Sequence, residues 1–188
     1  FYERAFEPGC SVGTLSVALA ARCGSVLSMD RAAPAVALAS AATAKCPDVS
    51  VVRGVVPDEW PAGSFDLIVL GELGYYFDSS SWAEVARLTA SSLAPGGHVV
   101  AAHWRRPIEG CSRNGDEVHD DLITAGGLER LARYEEAQFL VDVLGVGEKS
   151  ALPAPGYPKQ AAPAATTPAG ALPPHRNVRS SPSRPPAH

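Results

Sequence analysis

The sequence of 188 residues contains no apolar run approaching the roughly 18 to 20 residues that a membrane-spanning helix requires. Its N-terminus also lacks the basic flank and the small-residue cleavage site of a secretory signal peptide. Only four cysteines are present, and none stands in a Cys-x-x-Cys pair or at metal-ligand spacing from a histidine. These absences argue against a membrane protein, a disulfide framework and a zinc site, and they predict a cytoplasmic protein with reduced thiols.

Basic residues are scarce in the part of the chain that carries the acids. All 20 acidic residues precede residue 150, together with only 12 of the 16 lysines and arginines. The net formal charge of that segment is therefore −8, which provides no basic field to replace the counterions of a nucleic-acid backbone. We expect neither a nucleic-acid nor a membrane partner, and the sequence leaves the oligomeric state open.

The composition divides the chain near residue 150. Residues 150–188 hold 10 of the 17 prolines and have Tyr157 as their only aromatic residue. Such a segment lacks the bulk to build a core, so we expect a disordered tail of polyproline II character after a single domain at 1–149. The chain begins with Phe1, and Met29 is its only methionine, so we also expect that domain to lack an N-terminal segment.

Short apolar segments alternate with helical patterns between residues 4 and 103, which is typical of a parallel sheet with helices on both faces. The predicted strands are 4–7, 25–30, 49–53, 65–70 and 98–103, and two more at 128–136 and 139–146 form an antiparallel pair. The predicted helices are 14–23, 34–45, 81–93 and 116–125, and Ser80 and Ser81 are the candidate caps of the third. The predicted fold class is α/β, a Rossmann-like sheet of seven mostly parallel strands with a C-terminal β-hairpin. Ligands of such sheets bind at the carboxyl ends of the strands.

A glycine turn, Glu7-Pro8-Gly9-Cys10-Ser11-Val12-Gly13, lies between the first predicted strand and the first predicted helix. Gly9 and Gly13 put no side chain in the way of a ligand, and free amides at the helix start face the turn. The dinucleotide fingerprint Gly-x-Gly-x-x-Gly is not matched, because Ser11 and Thr14 replace its second and third glycines, and this disfavours a nicotinamide oxidoreductase. An acid at Glu7 repels a pyrophosphate and attracts an ammonium group.

Asp30 ends the second predicted strand, 17 residues after Gly13. At this position a carboxylate accepts hydrogen bonds from the two hydroxyls of a ribose. The turn and the acid together predict a site for a nucleoside with a cationic tail. The alternative is a structural turn followed by an aspartate that caps the next helix.

At these residues the sequence resembles the class I S-adenosylmethionine-dependent methyltransferases. The resemblance covers roughly residues 4–146, and it rests on Glu7-x-Gly9-x-Ser11-x-Gly13, Asp30, Gly54, the FDLIVL strand and the segment LAPGG. The segments EPGCSVG, VPDEWPAGSFDLIVLGELGYYF and HWR are similar to those of the nodulation protein S group. Proteins of that group are N-methyltransferases that act on the free amine of chitooligosaccharides.

The resemblance implies S-adenosyl-L-methionine as cofactor, S-adenosyl-L-homocysteine as product, and no metal. It assigns to the cofactor Glu7, Gly9, Cys10, Ser11 and Gly13 at the methionine moiety, Asp30 at the ribose, Arg31, Gly54, Val55 and Val56 at the adenine, and Gly71 at the ammonium group. Val55 departs from the family pattern, because many relatives carry an acid there that accepts from the adenine amino group. Backbone contacts or Asp58 would have to substitute, or Val55 is simply an apolar wall. Gly71 departs too, because relatives often carry Ser or Asn there.

Residues that follow the fourth predicted strand are candidates for the reacting site, because methyl transfer depends on holding the nucleophile and the methyl group in line. Glu72 is the candidate base for the amine of the acceptor, or the group that holds its ammonium form. The alternatives are a structural part of the cofactor pocket and a carboxylate at a helix start. Tyr75 is a candidate catalytic residue and Tyr76 a candidate substrate contact, through cation–π attraction or stacking on a sugar, with core packing as the alternative.

Residues after the fifth predicted strand add a second group of candidates. His103 is a candidate base or substrate ligand, with a strand-end histidine that serves the fold as the alternative. Trp104, Arg105 and His119 are candidate substrate contacts at the same edge of the sheet.

These observations lead to the hypothesis of an S-adenosylmethionine-dependent methyltransferase whose acceptor is an amine on a saccharide or another small molecule, as in oligosaccharide biosynthesis. An O-methyltransferase of a small metabolite would use the same cofactor site. The alternative from another class is a truncated cofactor-binding domain without turnover, which the start at Phe1 and the Val55 departure both favour.

Overall fold

The structure is a computed structural model that describes residues 1–111 and 113–147. The predicted tail at 150–188 lies outside the described residues, so the division of the chain near residue 150 stays a prediction. Among the described residues, no helix has the length and apolar character needed to span a bilayer. All four cysteines are free thiols.

Strands and helices alternate along the described chain. The strands are β1 (Tyr2–Pro8), β2 (Cys23–Asp30), β3 (Val49–Arg53), β4 (Phe65–Gly71), β5 (Leu93–Trp104), β6 (Glu129–Glu135) and β7 (Phe139–Gly145). The helices are α1 (Thr14–Ala20), α2 (Ala33–Ala42), α3 (Ser79–Ser92) and α4 (Gly115–Gly126), and a single 3-10 turn covers Gly74–Tyr76.

The seven strands form one sheet in the order β3-β2-β1-β4-β5-β7-β6. Strands β1 to β5 pair in parallel, whereas β7 is antiparallel to both β5 and β6. This confirms the predicted α/β class with a C-terminal β-hairpin. The chain winds outward from β1 to β3 and then resumes at β4 on the other side of β1, which leaves a crevice at the carboxyl ends of β1 and β4.

Both faces of this sheet carry buried apolar residues. Ala5 and Phe6 are adjacent in β1 and belong to different core clusters, because successive strand residues point to opposite faces. Helix α3 covers one face with five buried residues, which recur at the spacing of a single helical face: Trp82, Val85, Ala86, Thr89 and Ser92. The helix forms here because its apolar period matches 3.6 residues per turn.

Several element boundaries differ from the prediction for identifiable reasons. Helix α1 ends at Ala20, before the predicted residue 23, because Cys23 already pairs with Tyr2 in the sheet. The cap of α3 is Asp78, whose carboxylate accepts from the Ser81 amide at 2.8 Å and from the hydroxyls of Ser80 and Ser81. The prediction of Ser80 and Ser81 as caps was therefore wrong, since both lie in the first turn.

Strand β5 also begins earlier than predicted. Leu93 pairs with Phe65 of β4, so the segment LAPGG enters the sheet before a register irregularity at Phe65/Leu67. The sequence predicts a strand that begins only at His98, after Pro-Gly-Gly, whereas the pairing of Leu93 with Phe65 starts the strand five residues earlier.

Gly13 provides a test of the packing between the glycine turn and α2. It has a φ of +82°, and an added Cβ would lie 2.8 Å from the Ala39 Cα atom. Gly127 has a φ of +64° with nothing within 4 Å of an added Cβ, so it is a matched control for the backbone conformation alone. We expect Gly127→Ala to lower the free energy of unfolding by about 1 to 2 kcal/mol.

Gly13→Ala should lower it by a further ~1 to 3 kcal/mol, because helix backbone cannot move aside as a flexible side chain can. Urea unfolding of both variants checks this. Equal losses would show that α2 does not press on the turn.

Candidate functional site

A cleft of about 690 Å³ opens at the carboxyl ends of the parallel strands. Its volume falls in the range of roughly 300 to 1,000 Å³ that is typical of small-molecule and cofactor sites. The walls come from the segments that follow β1 to β4, namely Pro8, Gly9, Ser11, Met29, Asp30, Arg31, Gly54, Val55, Val56, Gly71, Glu72, Leu73, Tyr76 and Phe77. Eight of the eleven residues predicted for the cofactor are among them.

The glycine turn and Asp30 form one hydrogen-bonded unit. The amides of Gly9 and Cys10 both donate to the Met29 carbonyl, at 2.7 and 3.0 Å, which ties the turn to the end of β2. The Asp30 carboxylate accepts from the Ser11 amide through Oδ2 and from the Ala32 amide through Oδ1, both at 2.9 Å. The turn is therefore shaped by the acid that follows the neighbouring strand.

Asp30 keeps the capacity to bind a ligand. Each carboxylate oxygen has two lone pairs, and each accepts one protein amide here. Asp30 lines the cleft, so the remaining lone pairs suit a pair of vicinal hydroxyls. The alternative of an aspartate that only caps α2 describes part of its contacts, because the Ala32 amide stands at the start of that helix.

The far side of the cleft suits a flat apolar ring. Arg31, Gly54, Val55 and Val56 all line it, as the resemblance implies for an adenine. The Val55 amide donates to the Glu59 carboxylate at 2.8 Å, whereas Asp58 does not line the cleft. The acid that contacts the turn at Val55 is therefore Glu59, and its carboxylate binds a backbone amide of that turn.

Room remains at Gly71, where an added Cβ would have nothing within 4 Å. The cleft thus provides open space at Gly71, the Asp30 carboxylate for a pair of hydroxyls, and an apolar wall at Val55 and Val56. This donor set fits the nucleoside and amino-acid parts of the implied cofactor. Within residues 1–111 and 113–147, no group of three or more His, Cys, Asp or Glu side chains is placed to hold a metal ion.

Three residues predicted for the cofactor lie behind the turn and do not line the cleft. Glu7 is buried, and its carboxylate accepts from the hydroxyls of Ser16 at 2.6 Å and Ser28 at 2.9 Å. Burial raises the pKa of Glu7, and the two hydroxyl donors oppose that rise. Gly13 packs against α2. Burial, together with Glu7 and Asp30, raises the pKa of the Cys10 thiol to about 12, so this thiol stays protonated.

Glu72 lies on the cleft wall in an unusual backbone conformation. Its φ of +52° is in the left-handed region, which costs energy for any residue other than glycine. Its amide donates to the Ala102 carbonyl at 2.9 Å, and its carboxylate accepts a hydrogen bond from the Tyr75 hydroxyl. Burial, and then the bond to Glu72, raises the pKa of Tyr75, so this hydroxyl stays a donor.

The two adjacent tyrosines have different positions. Tyr75 is buried and does not line the cleft, whereas Tyr76 is 68% exposed and does. Their rings meet edge to face with centroids 5.4 Å apart. Tyr76 and Phe77 thus form the aromatic part of the wall beside Glu72.

The structure does not bring the second group of candidates to the cleft. His103 and His119 are fully buried and bonded to each other, His103 Nδ1 to His119 Nε2 at 3.0 Å. Trp104 packs against the core, and Arg105 forms ion pairs with Asp116 and Glu135. In this arrangement none of the four faces a ligand in the cleft.

Four wall residues were missed by the sequence analysis, namely Pro8, Met29, Leu73 and Phe77. Each lies within a segment that the resemblance had quoted or directly beside a predicted residue. A rule that extends each predicted site by its neighbours would have found them. Which neighbour faces the ligand depends on the turn conformation, and the sequence does not specify it.

Comparisons with known proteins agree with this site. A family profile described as a methyltransferase domain matches residues 5–97. No curated protein matches the sequence. Among solved structures, a protein from Pseudomonas syringae assigned to the methyltransferases is 37% identical, with a TM-score of 0.67, and the match covers 76% of this chain and 86% of that one.

Two more distant structures share the fold. The N-methyltransferase NodS from Bradyrhizobium japonicum WM9, in complex with S-adenosyl-L-homocysteine, is 22% identical with a TM-score of 0.66, and 78% of this chain and 79% of that one are covered. A TehB-like SAM-dependent methyltransferase from Corynebacterium glutamicum is 19% identical with a TM-score of 0.63, with 77% and 80% covered.

The residues of the cleft and the 37% identical relative indicate the same chemistry, and the two more distant structures share the fold. The 37% identity extends over most of both chains, which indicates common descent as well as a common shape. The chain therefore belongs to the S-adenosylmethionine-dependent methyltransferases, with S-adenosyl-L-methionine as its cofactor.

Proposed function

We propose that this enzyme methylates the nitrogen of an amine on a small molecule, with a saccharide amine as the leading acceptor. The observation that carries the proposal is the carboxylate of Glu72, which lies on the cleft wall and is held by the Tyr75 hydroxyl. A carboxylate at this position attracts a positively charged ammonium group. A neutral hydroxyl gains no comparable electrostatic attraction.

The chemistry explains why an amine needs such a group. S-adenosyl-L-methionine supplies a methyl carbon whose bond to sulfur breaks, with its electron pair staying on sulfur, as the new carbon–nitrogen bond forms. The acceptor must therefore present a free nitrogen lone pair. Glu72 first holds the protonated amine and then accepts the proton that it loses, which passes on to water.

The contacts of Glu72 support this role over a purely structural one. The one oxygen that Tyr75 contacts is Oε2, and Glu72 is exposed. Its left-handed backbone is a strained conformation of the kind that clusters at functional sites. This geometry does not fit a carboxylate that stabilises the start of a helix, because Glu72 precedes a 3-10 turn of only three residues.

The aromatic wall supports an acceptor that carries a sugar ring. Tyr76 presents an exposed ring beside Glu72, and such a ring stacks on the apolar face of a saccharide or contacts a methylammonium group. One structure of the same fold is an N-methyltransferase. The four free thiols support a reducing, cytoplasmic setting for the reaction.

Replacement of Asp30 tests the cofactor site. Asp30→Ala removes the acceptor that we assign to the ribose, and we expect the dissociation constant of S-adenosyl-L-homocysteine to rise at least about tenfold, or about 1.4 kcal/mol. Isothermal titration calorimetry measures this. Asp30→Asn keeps one acceptor oxygen and should fall between the wild type and Asp30→Ala.

Asp48→Ala is the matched control, because it removes one exposed acid outside the cleft. It should bind like the wild type. If Asp30→Ala also binds like Asp48→Ala, the assignment of Asp30 to the ribose is wrong.

Replacement of Glu72 tests the acceptor. Label from methyl-radiolabelled cofactor should pass to glucosamine oligomers with a free amine and not to their N-acetylated forms. Glu72→Gln should slow that transfer by about 10²- to 10⁴-fold, because the amide cannot take a proton. Its affinity for S-adenosyl-L-homocysteine should stay close to that of the wild type.

Glu109→Gln removes an exposed acid outside the cleft and is the control for net charge. Label found only in hydroxylated metabolites would contradict the amine proposal. It would then favour O-methylation at the same cofactor site.

A further inference from the structure

We infer that His103 is a positioning residue that, together with His119 and Asp142, fixes the backbone of the loop that carries Glu72. We call residues 72–76 the Glu72 loop, and the three buried side chains the His–His–Asp relay. The consequence for catalysis rests on the proposed function of Glu72, whereas the relay itself can be tested without an acceptor.

The relay connects the C-terminal hairpin to the cleft wall through hydrogen bonds. His103 Nε2 accepts from the backbone amides of Leu73 at 3.3 Å and Gly74 at 3.1 Å. His103 Nδ1 lies 3.0 Å from His119 Nε2, and His119 Nδ1 lies 2.9 Å from Asp142 Oδ2. All three side chains of the relay are fully buried.

These partners specify one tautomer for each histidine. Because His103 Nε2 accepts from two amides, it carries no proton, so the proton of the neutral ring is on Nδ1. That proton is donated to His119 Nε2, which leaves the proton of His119 on Nδ1, facing Asp142. The hydrogen bonds therefore run in one direction, from the amides of the Glu72 loop, through both rings, to the carboxylate of Asp142.

Asp142 supplies the charge that fixes this direction. Arg133 donates to both of its oxygens at 2.7 Å, and Arg130 Nε lies 3.2 Å from Oδ1. Burial acts to raise the pKa of Asp142, but the hydrogen bonds from Arg133 and His119 outweigh it and hold that pKa well below its usual value. An ionised Asp142 accepts only, so it holds the proton of His119 on Nδ1.

His103 stays neutral in these surroundings. Burial, and then its neighbour His119, lowers the pKa of His103 to about 3. The groups packed around the ring are His119 from α4, Trp82 from α3 and Tyr75 from the Glu72 loop, with Asp142 of β7 beyond His119. Among the described residues, no carboxylate is hydrogen-bonded to His103 itself.

The Glu72 loop is held closely by the elements that surround it. An added Cβ at Gly74 would lie 2.2 Å from Val118 of α4 and 2.9 Å from Trp82 of α3, so the loop backbone touches both helices. The amides on which His103 acts directly follow Glu72, whose left-handed φ is not a relaxed state of the chain. A fixed acceptor at the next two amides keeps Glu72 in that conformation.

The tautomers provide a direct test. In spectra of the full chain with ¹⁵N-labelled histidine at pH 7, His103 should show a proton on Nδ1 and none on Nε2, and His119 a proton on Nδ1. A proton on His103 Nε2, or a cationic ring at either position, would overturn the inference. This measurement needs no variant, so it decides the question even if a variant fails to fold.

Variants then separate positioning from packing. We expect His103→Leu to speed hydrogen exchange of the Leu73 and Gly74 amides at least tenfold, and His103→Gln to restore part of the protection through its side-chain oxygen. Asp142→Asn, which does not touch the loop, should also speed that exchange. His98→Leu replaces another buried histidine of β5, bonded to Tyr2, and should leave both amides unchanged.

Unchanged hydrogen exchange of the Leu73 and Gly74 amides in both His103→Leu and Asp142→Asn would show that the relay contributes only packing. That result would overturn the inference. The proposed function fails separately. If the tautomers and the exchange pattern are as expected but no amine is methylated, the relay stands and the acceptor assignment falls.

The neutral state of His103 also predicts a pH dependence of stability. The unfolded histidine titrates near its ordinary pKa of about 6.5, and the folded pKa is about 3, so the unfolded state binds one more proton between these values. Stability is therefore full above pH 6.5 and is lost as the pH falls toward 3.

Between pH 6 and pH 5, the folding equilibrium constant of the wild type should fall by a factor up to about tenfold larger than that of His103→Gln. Denaturant titrations of both proteins give this difference. The opposing contribution of Glu7, whose pKa is raised, is common to both proteins and cancels. Equal pH dependence would contradict a neutral, buried His103.

Discussion

The position of β4 between β1 and β5 is the constraint on which the site depends. The pairing of Phe6 with Ile68 places the glycine turn beside the end of β4, and the pairing of Gly71 with Ala102 places the end of β5 on the other side. One sheet register thereby brings Asp30 and Glu72 to the walls of one cleft. A shift of one residue in either pairing would change the distance between the two carboxylates and reverse the faces of the shifted strand.

Acidic side chains serve three different purposes in this structure, and burial together with the available partners decides between them. Glu7 is buried beneath the turn, and burial raises its pKa although two hydroxyl donors oppose that rise. Asp142 is equally buried but has arginine partners, and its pKa falls. Asp30 borders the cleft and combines backbone contacts with free lone pairs, which suits an uncharged ligand group.

The sequence predicted the sheet, the glycine turn and Asp30 because these depend on local signals. Apolar runs reveal buried strands, and a glycine turn reveals a close approach of ligand to backbone. Gly54, Val55 and Gly71 were assigned to the cofactor by the family resemblance, and all three line the cleft. The sequence did not show the direction of side chains at the end of β5, where His103 points into the core beside α4 and away from the cleft. Only the packing of α4, which brings His119 to that ring, decides between the two directions.

The ion pairs between Asp142 and the arginines of β6 have a consequence for protein engineering. The C-terminal hairpin is at the edge of the sheet farthest from β1, which makes it the natural segment to exchange between relatives when new acceptors are sought. Its Asp142, however, is bonded to His119 of α4 and through it to the wall of the cleft. A chimaera that takes β6 and β7 from another enzyme must therefore take α4 and the end of β5 from the same parent.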